Sequence, residues 1–181
     1  MFRQPVLHLV ALLLDYPDAG LRQTLPEMAA ALDTLSGFQG NEKSMLRGHI
    51  QWMQAQAPLQ LEALYVDTFD WNPRCDLHLS NHLLPEDDRE RGTVLVRLLD
   101  HYSAHGWLPE DRALPDYLPV VLDFAATLEP DEARVFLGSA AEGIGILRDN
   151  LQESQSPYAV LLEPVLYRAH FLSSMPVGAP L

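Results

Sequence analysis

Residues 114–124 read Leu-Pro-Asp-Tyr-Leu-Pro-Val-Val-Leu-Asp-Phe, an apolar segment with a proline on each side of its first turn. Proline is accepted in the first turn of a helix because its missing N–H loses no partner there and its fixed φ suits the helix. The segment therefore predicts a helix that begins with a turn bounded by Pro115 and Pro119. Segments of the same kind, with apolar residues at helical spacing between prolines or glycines, cover the rest of the chain.

On both sides of this segment the sequence predicts further helices. Thr24-Leu25-Pro26-Glu27 has the pattern of a capping box, with a proline near the start of a helix. No sustained alternation of apolar and polar residues is flanked by hairpin turns, so we expect no sheet. The predicted fold is all-α, a single domain over 1–181 built as a bundle of about eight helices, with helical residues at about 5–14, 18–35, 41–57, 59–69, 75–84, 85–106, 115–124, 130–152 and 157–172.

Composition agrees with one helical domain. The 181 residues suit a domain of ordinary size, and 48% of them are hydrophobic, which disfavours disorder. Counted along the sequence, 33 Leu and 18 Ala outnumber 11 Val and 3 Ile, a bias toward helix formers over strand formers.

The net charge of the chain limits the kinds of molecule that we expect it to bind. Twelve basic and 25 acidic side chains give a net charge of −13, and residues 61–181 carry −12 of it (8 basic, 20 acidic). Nucleic acid and anionic lipid both need a basic surface, so we expect neither as a partner. The same field attracts a basic partner such as an arginine-bearing peptide. The alternative is that the charge only keeps the protein soluble.

The one cysteine, Cys75, excludes an internal disulfide and a zinc site built from several thiolates, and it favours a reducing compartment, the cytoplasm. The apolar run from Val6 to Leu14 is too short to span a bilayer and precedes no signal-peptide cleavage motif. We therefore expect a buried first helix and no membrane insertion.

Chemistry-bearing patterns are weak. His78 and His82, and likewise His101 and His105, lie four apart, but neither pair has the glutamate of H-E-x-x-H or an evident third ligand. No nucleophile elbow, phosphate loop or dinucleotide motif is present, and Cys75 is best explained as a buried structural thiol. We predict no catalytic residue, no metal and no cofactor, with a metal-dependent helical hydrolase as the less favoured alternative.

A peptide-binding site explains the carboxylates and aromatic residues of this region without a catalytic or metal-binding role. Asp116 and Asp123 lie seven apart on one predicted helix face, where they could serve as acid–base groups, solvated residues or a clamp for arginine. Carboxylates and aromatic side chains also alternate through this half of the chain. If several of them share a groove, they could hold a basic, apolar peptide. The alternative is that the aromatic side chains form core. The carboxylates are Glu86, Asp87, Asp88, Glu90, Glu110, Asp111, Asp116 and Asp123, and the aromatic residues are Tyr65, Phe69, Trp71, Tyr102, Trp107, Tyr117 and Phe124.

Five segments in this order resemble the respiratory nitrate reductase assembly chaperones of the NarJ type, within the wider TorD/DmsD group of redox-enzyme maturation proteins. The segments span most of the chain: 12–18 (Leu-Leu-Leu-Asp-Tyr-Pro-Asp), 65–70 (Tyr-Val-Asp-Thr-Phe-Asp), 89–92 (Arg-Glu-Arg-Gly) leading to Tyr102 and Gly106, 114–124, and 156–160 (Ser-Pro-Tyr-Ala-Val).

The resemblance implies a non-enzymatic, cytoplasmic helical chaperone. Such a protein binds the N-terminal, basic leader-like segment of a molybdoenzyme catalytic subunit, here that of nitrate reductase, and holds it competent for molybdenum cofactor insertion before assembly or membrane targeting. Cofactor-insertion proteins are further implied partners. The implied peptide-binding residues are Tyr65, Phe69, Asp70, His82, Arg89, Pro115, Asp116, Tyr117, Pro119 and Asp123.

The chain departs from the family pattern at three points. Tyr117 replaces the usual histidine of the proline-bounded motif, although its hydroxyl still offers a hydrogen bond. Asn81 stands where glutamate is usual, and the sequence ends at Leu181, short of the longer tail of many such chaperones. A client from the same molybdenum superfamily that handles selenate, chlorate, dimethyl sulfide or a hydrocarbon is therefore the alternative.

Overall fold

The structure, a computed structural model, describes residues 2–84, 89–109 and 113–170, apart from the side chains of Arg89 and His170. Within these ranges it has nine α-helices and no strand, which confirms the all-α prediction. One π-helical turn, 66–70, and two 3₁₀ turns, 73–75 and 157–162, complete it. The helices are α1 Pro5–Leu13, α2 Ala19–Thr34, α3 Glu42–Ala55, α4 Pro58–Tyr65, α5 Ser80–Leu83, α6 Arg89–Ala104, α7 Leu118–Thr127, α8 Pro130–Glu153 and α9 Glu163–His170.

The first helix lies in the core, as the sequence predicts. α1 is apolar on nearly every side, and Leu7, Val10 and Leu13 are almost completely buried. It packs against α7, and the backbone N–H groups of Arg3 and Gln4 both donate to the Ala126 carbonyl at 2.8 and 2.9 Å. Each fully buried side chain of this kind contributes about 1.5–3 kcal/mol. α1 therefore holds the centre of the bundle together.

α8 is the longest described helix and forms the second support of the core. It packs along α9 and also against α5 and α7. Gly143 faces the α5 region, and a Cβ atom there would lie 3.4 Å from the Leu79 carbonyl oxygen, about van der Waals contact. α2 packs against α3 on the other side of the bundle. No described helix is both long and apolar enough to cross a membrane.

The predicted range 18–35 agrees with α2, but three predicted boundary features are wrong. α2 begins at Ala19 with Asp18 as its N-cap, so the capping-box pattern Thr24–Glu27 lies inside the helix and does not mark its start. Residues 75–84 do not form one helix: an extended stretch separates the 3₁₀ turn from α5, and His78 pairs with Tyr117 in an isolated antiparallel bridge. The same bridge explains the third difference, at the start of the helix predicted from Pro115.

α7 begins at Leu118, three residues after the predicted start at Pro115. The Leu79 N–H donates to the Asp116 carbonyl at 3.0 Å, and the Leu118 N–H donates to the Leu77 carbonyl at 2.8 Å. These pairings hold residues 116–118 against the 77–79 stretch, so the first helical turn starts only after them. Asp116 consequently precedes the helix that carries Asp123, and the two residues do not share one helix face.

α6 stands apart from the core. Of its described side chains only Tyr102 is buried, and its hydroxyl donates to the Pro115 carbonyl at 2.7 Å. Val96 and Leu99 on the same helix are exposed. α6 is therefore fastened to the bundle mainly at its C-terminal end.

Candidate functional site

A pair of tyrosine hydroxyls joins three of the segments that resemble the chaperone family. Tyr65, in the last turn of α4, donates to the Leu14 carbonyl at 3.0 Å, and its oxygen lies 3.1 Å from the Tyr117 hydroxyl. Because the Tyr65 proton is used on Leu14, Tyr117 donates to Tyr65. Phe69 packs 4.8 Å from the Tyr65 ring, and Tyr16 meets that ring edge-on at 5.4 Å. The predicted residues Tyr65, Phe69 and Tyr117 therefore do come together.

Carboxylates face this hydroxyl pair. Burial is the main cause that raises the pKa of Tyr117, and the negative charges of Asp15, Asp70 and Asp76 raise it further. Burial likewise raises the pKa of Tyr65. Both phenols are therefore protonated at neutral pH and act as hydrogen-bonding groups. The predicted residue Asp70 is exposed at the end of the π-helical turn.

A groove of about 710 Å³ runs between α1 and α2. Tyr16 lines this groove and also packs on Tyr65, so the groove adjoins the tyrosine cluster. None of the described residues that line the groove is Lys or Arg. The groove therefore combines apolar walls with an acidic edge, a combination that suits a basic, apolar segment. The apolar residues include Leu9, Leu12, Leu21 and Met28, and the carboxylates are Asp15, Asp18 and Glu27.

Asp123 reaches the same groove indirectly. Its carboxylate accepts a hydrogen bond from Nδ1 of His8 at 2.7 Å, and the Phe2 ring stacks on His8 with 3.7 Å between ring centroids. His8 and Phe2 both line the groove. The carboxylate of Asp123 is half-exposed. It therefore adds negative charge at the far end of the groove from Tyr16.

Asp116 does not belong to this acidic surface. It is 1% exposed, and its Oδ2 accepts hydrogen bonds from the Ser80 N–H at 3.2 Å and from the Ser80 hydroxyl. Its Oδ1 has no hydrogen-bond partner among the described residues. The prolines on either side are structural: the Pro115 carbonyl accepts from Tyr102, and Pro119 is buried in the first turn of α7.

His82 is not among the residues that line the groove. His82 donates from Nε2 to the Asp76 carbonyl at 2.7 Å. The Asp76 carboxylate accepts from His78 at 2.7 Å, and this hydrogen bond raises the pKa of His78. Arg89 begins α6, but its side chain lies outside the described part of the structure. So do Glu86, Asp87, Asp88, Glu110 and Asp111, which the acidic groove hypothesis included.

The aromatic set divides between core and surface. Tyr102 and Phe124 are core residues, whereas Trp71 is 78% exposed. Cys75 is buried, as predicted. His101 and His105 lie 4.6 Å apart by ring centroids. Within residues 2–84, 89–109 and 113–170, no three His, Cys, Asp or Glu side chains are grouped as a metal site requires.

The sequence-based site missed the α1–α2 groove. Residues 12–18 contribute Leu12, Asp15, Tyr16 and Asp18 to it. A signal was present, since two aspartates flank Tyr16 and Pro17 at a helix break that contains no Lys or Arg.

Comparisons with known proteins agree with the sequence resemblance. The family described as "Nitrate reductase delta subunit" matches residues 14–162. A probable nitrate reductase molybdenum cofactor assembly chaperone NarJ of Bacillus subtilis is 32% identical over 167 residues, covering 91% of this chain and 88% of that protein.

The NarJ chaperone of Escherichia coli K12 is 34% identical over 162 residues, 90% of this chain and 68% of its own length. The nitrate reductase-like protein NarX of Mycobacterium tuberculosis is 32% identical over 149 residues, 82% of this chain but 22% of that longer protein. The chain therefore belongs to the nitrate reductase delta subunit family and is a NarJ-type assembly chaperone.

Proposed function

We propose that this chaperone binds the N-terminal, basic leader-like segment of a nitrate reductase catalytic subunit and holds that subunit competent for molybdenum cofactor insertion. The family assignment supports the chaperone role, because the matched relatives are named as molybdenum cofactor assembly chaperones. These relatives are not catalysts, and the chain is accordingly not an enzyme. A client from another branch of the molybdenum superfamily remains the alternative.

The observation that carries the proposal is the α1–α2 groove. Its apolar side chains can bury one face of an amphipathic segment, and the carboxylates at its edge can pair with Arg or Lys on the other face. The tyrosine cluster at its end offers the Tyr117 ring and hydroxyl beside the charges of Asp15 and Asp70. A segment that lies along α1 would therefore meet apolar surface first and acidic side chains on both margins.

The predicted site residues take different roles in this proposal. Tyr65 packs against Tyr16 of the groove and links it to Phe69 and Tyr117 in the interior, and Asp70 and Asp123 contribute charge. Asp116 joins the 115–119 stretch to Ser80, and the backbone pairing of the two stretches positions Tyr117. His82, Pro115 and Pro119 are structural: His82 bonds to the Asp76 carbonyl, the Pro115 carbonyl accepts from Tyr102, and Pro119 is buried in α7. Arg89 remains a proposed peptide contact that rests on the family resemblance.

Release is as necessary to an assembly chaperone as binding. A leader segment that orders only on binding gives up conformational entropy, so its affinity is moderate for the surface that it buries. We place this cycle in the cytoplasm, which the single, unpaired and buried Cys75 supports. The cofactor-insertion proteins are further proposed partners. The metal-dependent hydrolase has no observation in its favour among the described residues.

The experiment is calorimetric titration with a peptide of the first twenty residues of the catalytic subunit encoded with this chaperone. Wild type should bind it more weakly in 500 mM than in 50 mM NaCl, because salt screens exposed charges. Asp15→Asn combined with Asp70→Asn should weaken binding about three- to tenfold at low salt and flatten the salt dependence. Leu12→Asp should weaken binding at both salt concentrations.

The matched control is Asp100→Asn with Glu142→Gln, which removes two exposed charges on α6 and α8, away from the groove. It should bind like wild type. If the control loses as much affinity as the Asp15–Asp70 variant, general charge explains the effect. If neither variant nor Leu12→Asp changes the affinity, the peptide does not bind in this groove.

A further inference from the structure

A second groove, of about 680 Å³, lies between α6 and α8. It shares no lining residue with the groove between α1 and α2. Its apolar lining includes Val94 and Leu98 on α6 and Val135 and Phe136 on α8. Val135 is 63% exposed, so part of this apolar surface is uncovered in the described part of the chain. Exposed apolar side chains gathered in a groove mark an interaction site.

The two edges of this groove carry charges of opposite sign. Asp131 and Glu132 lie on the α8 edge, and Arg97, His101 and His105 lie on the α6 edge. A segment with a strong net charge of either sign would face one repelling edge. The groove therefore suits an apolar segment that carries no charge.

A segment of this kind follows α9 in the sequence. Residues 171–181, which lie outside the described part of the chain, contain no Asp, Glu, Lys, Arg or His, although charged residues make up 20% of the whole sequence. Segments that remain solvated are rich in charge and poor in large apolar side chains, so this composition favours burial against an apolar surface. The large apolar residues of the segment are Phe171, Leu172, Met175, Val177 and Leu181.

The end of α9 lies beside the groove between α6 and α8. α9 packs along α8, and the Ala169 carbonyl oxygen lies 3.6 Å from the position that a Cβ atom on Gly138 would take. Val135 and Ser139, three residues before and one residue after this glycine, line the groove. An extended segment of eleven residues spans up to about 36 Å, whereas residues 131–139 of α8 rise only about 12 Å. Residues 171–181 are therefore long enough to pass around α8 and run along the groove.

We propose that residues 171–181 bind in the groove between α6 and α8 of the same chain and cover its apolar walls. Their large side chains pack against Leu98, Val135 and Phe136, and no charge on the segment meets either edge. Among the described side chains of α6 only Tyr102 is buried, so the segment also fastens α6 to α8. Any partner that uses this groove has to displace the segment, which acts as an intramolecular competitor. The proposal does not depend on the peptide site proposed between α1 and α2.

The test measures a distance across the groove in the full chain. Spin labels are attached at Asp100→Cys, an exposed position on α6, and at Ser174→Cys, in a Cys75→Ser background. Double electron–electron resonance should give one narrow distribution of distances between the labels. Val135→Asp places a charge in the apolar wall and should at least double the width of this distribution. Ile146→Asp is the matched control on α8, since Ile146 is 36% exposed but does not line the groove, and it should leave the width unchanged.

Two further measurements keep the test decisive if Val135→Asp folds poorly. Phe171→Asp combined with Leu172→Asp alters only the segment and should broaden the distribution as much as Val135→Asp does. Chymotrypsin cleaves after Phe171 and Leu172 only when they are accessible, so this cleavage should be at least threefold faster in Val135→Asp than in wild type. The helical circular dichroism should be unchanged in every variant, and Ile146→Asp should be cleaved like wild type.

Three results would overturn the proposal. The first is a distribution that is already broad in the labelled protein without further substitution. The second is an equal effect of Val135→Asp and Ile146→Asp, whether both change the width and the cleavage rate or neither does. The third is broadening by Leu12→Asp and not by Val135→Asp, which would place the segment in the α1–α2 groove instead.

Discussion

At the scale of single residues, the Tyr65 hydroxyl connects three segments that are far apart in the sequence. It contacts the Leu14 carbonyl and the Tyr117 hydroxyl, which lie 51 and 52 residues away in the sequence. The family histidine at position 117 would offer a ring nitrogen; the tyrosine offers a hydroxyl that donates to Tyr65 instead. The substitution at Tyr117 is therefore compatible with a hydrogen-bonded pair at this point of the site.

Removing the two hydroxyls should have unequal effects. Tyr65→Phe leaves the Leu14 carbonyl and the Tyr117 hydroxyl without their partner and should lower the free energy of unfolding by about 1–3 kcal/mol. Tyr117→Phe leaves the Tyr65–Leu14 bond intact and should cost less, about 0.5–1.5 kcal/mol. Urea denaturation monitored by circular dichroism measures both. Equal costs for the two variants would show that the hydroxyl pair is not arranged in this order.

His49 is a second residue with a measurable effect on stability. It is buried, and its Nδ1 donates to the Pro157 carbonyl at 3.1 Å. Burial disfavours the charged imidazolium and lowers the pKa of His49 to about 4, and the bond to Pro157 only partly opposes this. Between pH 6.5 and 4 the unfolded chain therefore binds a proton at His49 that the folded chain does not.

Folded protein should consequently lose stability at His49 as the pH falls from 6.5 toward 4, by at most about 3 kcal/mol. His49→Phe removes this titration, so its stability relative to wild type should improve steadily over that interval. Urea denaturation at several pH values measures the difference. A difference that does not change with pH would mean that His49 titrates alike in the folded and unfolded states.

At the scale of helices, α2 shows how packing overrides a local start signal. Pro26 and the residues around it resemble a helix N-terminus, yet the helix runs from Ala19 through Pro26 to Thr34. Leu25, Met28 and Leu32 form the buried face that holds the helix together across the proline. The Thr24 hydroxyl donates to the Leu21 carbonyl at 2.8 Å and caps nothing.

The true N-cap of α2 can be identified by substitution. The Asp18 carboxylate accepts from the Leu21 N–H at 2.7 Å, so Asp18→Ala should lower the free energy of unfolding by about 1 kcal/mol. Thr24→Ala should change it by no more than about 0.5 kcal/mol. Thermal denaturation of both variants measures the two losses of stability. The larger loss in Thr24→Ala would place the start of the helix at the proline after all.

At the scale of the whole molecule, a largely buried ion pair joins α3 to α9, which are far apart in the sequence. Arg168 on α9 donates through two nitrogens to the two oxygens of Glu42 on α3, at 2.7 and 3.0 Å. The same guanidinium donates to the Gly37 and Pro164 carbonyls. Glu42 is 5% exposed, and its Oε2 also accepts from the Gln39 N–H at 2.9 Å.

Breaking the pair from one side should be costly. Arg168→Ala leaves the Glu42 carboxylate buried without its cation and should lower the free energy of unfolding by about 3–5 kcal/mol. Glu42→Gln combined with Arg168→Met removes both charges and should cost clearly less, because no unpaired ion remains. Urea denaturation of the single and double variants tests this. A double variant less stable than Arg168→Ala would contradict it.

Much of the architecture follows from the sequence because helical periodicity is local. Apolar residues three and four apart, prolines and glycines predict the helical class, the buried α1 and roughly where most helices lie. They fail at 75–84 and at the start of α7, where the bridge between His78 and Tyr117 takes residues out of helical conformation. Pairing between segments about forty residues apart leaves no trace in a local pattern.

The sequence by itself also determined the family and the acidic, single-cysteine character of the chain. Only the tertiary structure decided which carboxylates line the α1–α2 groove: Asp15 and Asp18 do, while Asp116 of the 114–124 segment is buried against Ser80. The charge count placed most of the acidic excess after residue 60, yet the edge of the α1–α2 groove comes from residues 15, 18 and 27. The physical reason is that exposure depends on which helix faces pack together, and that packing is settled by contacts across the whole bundle.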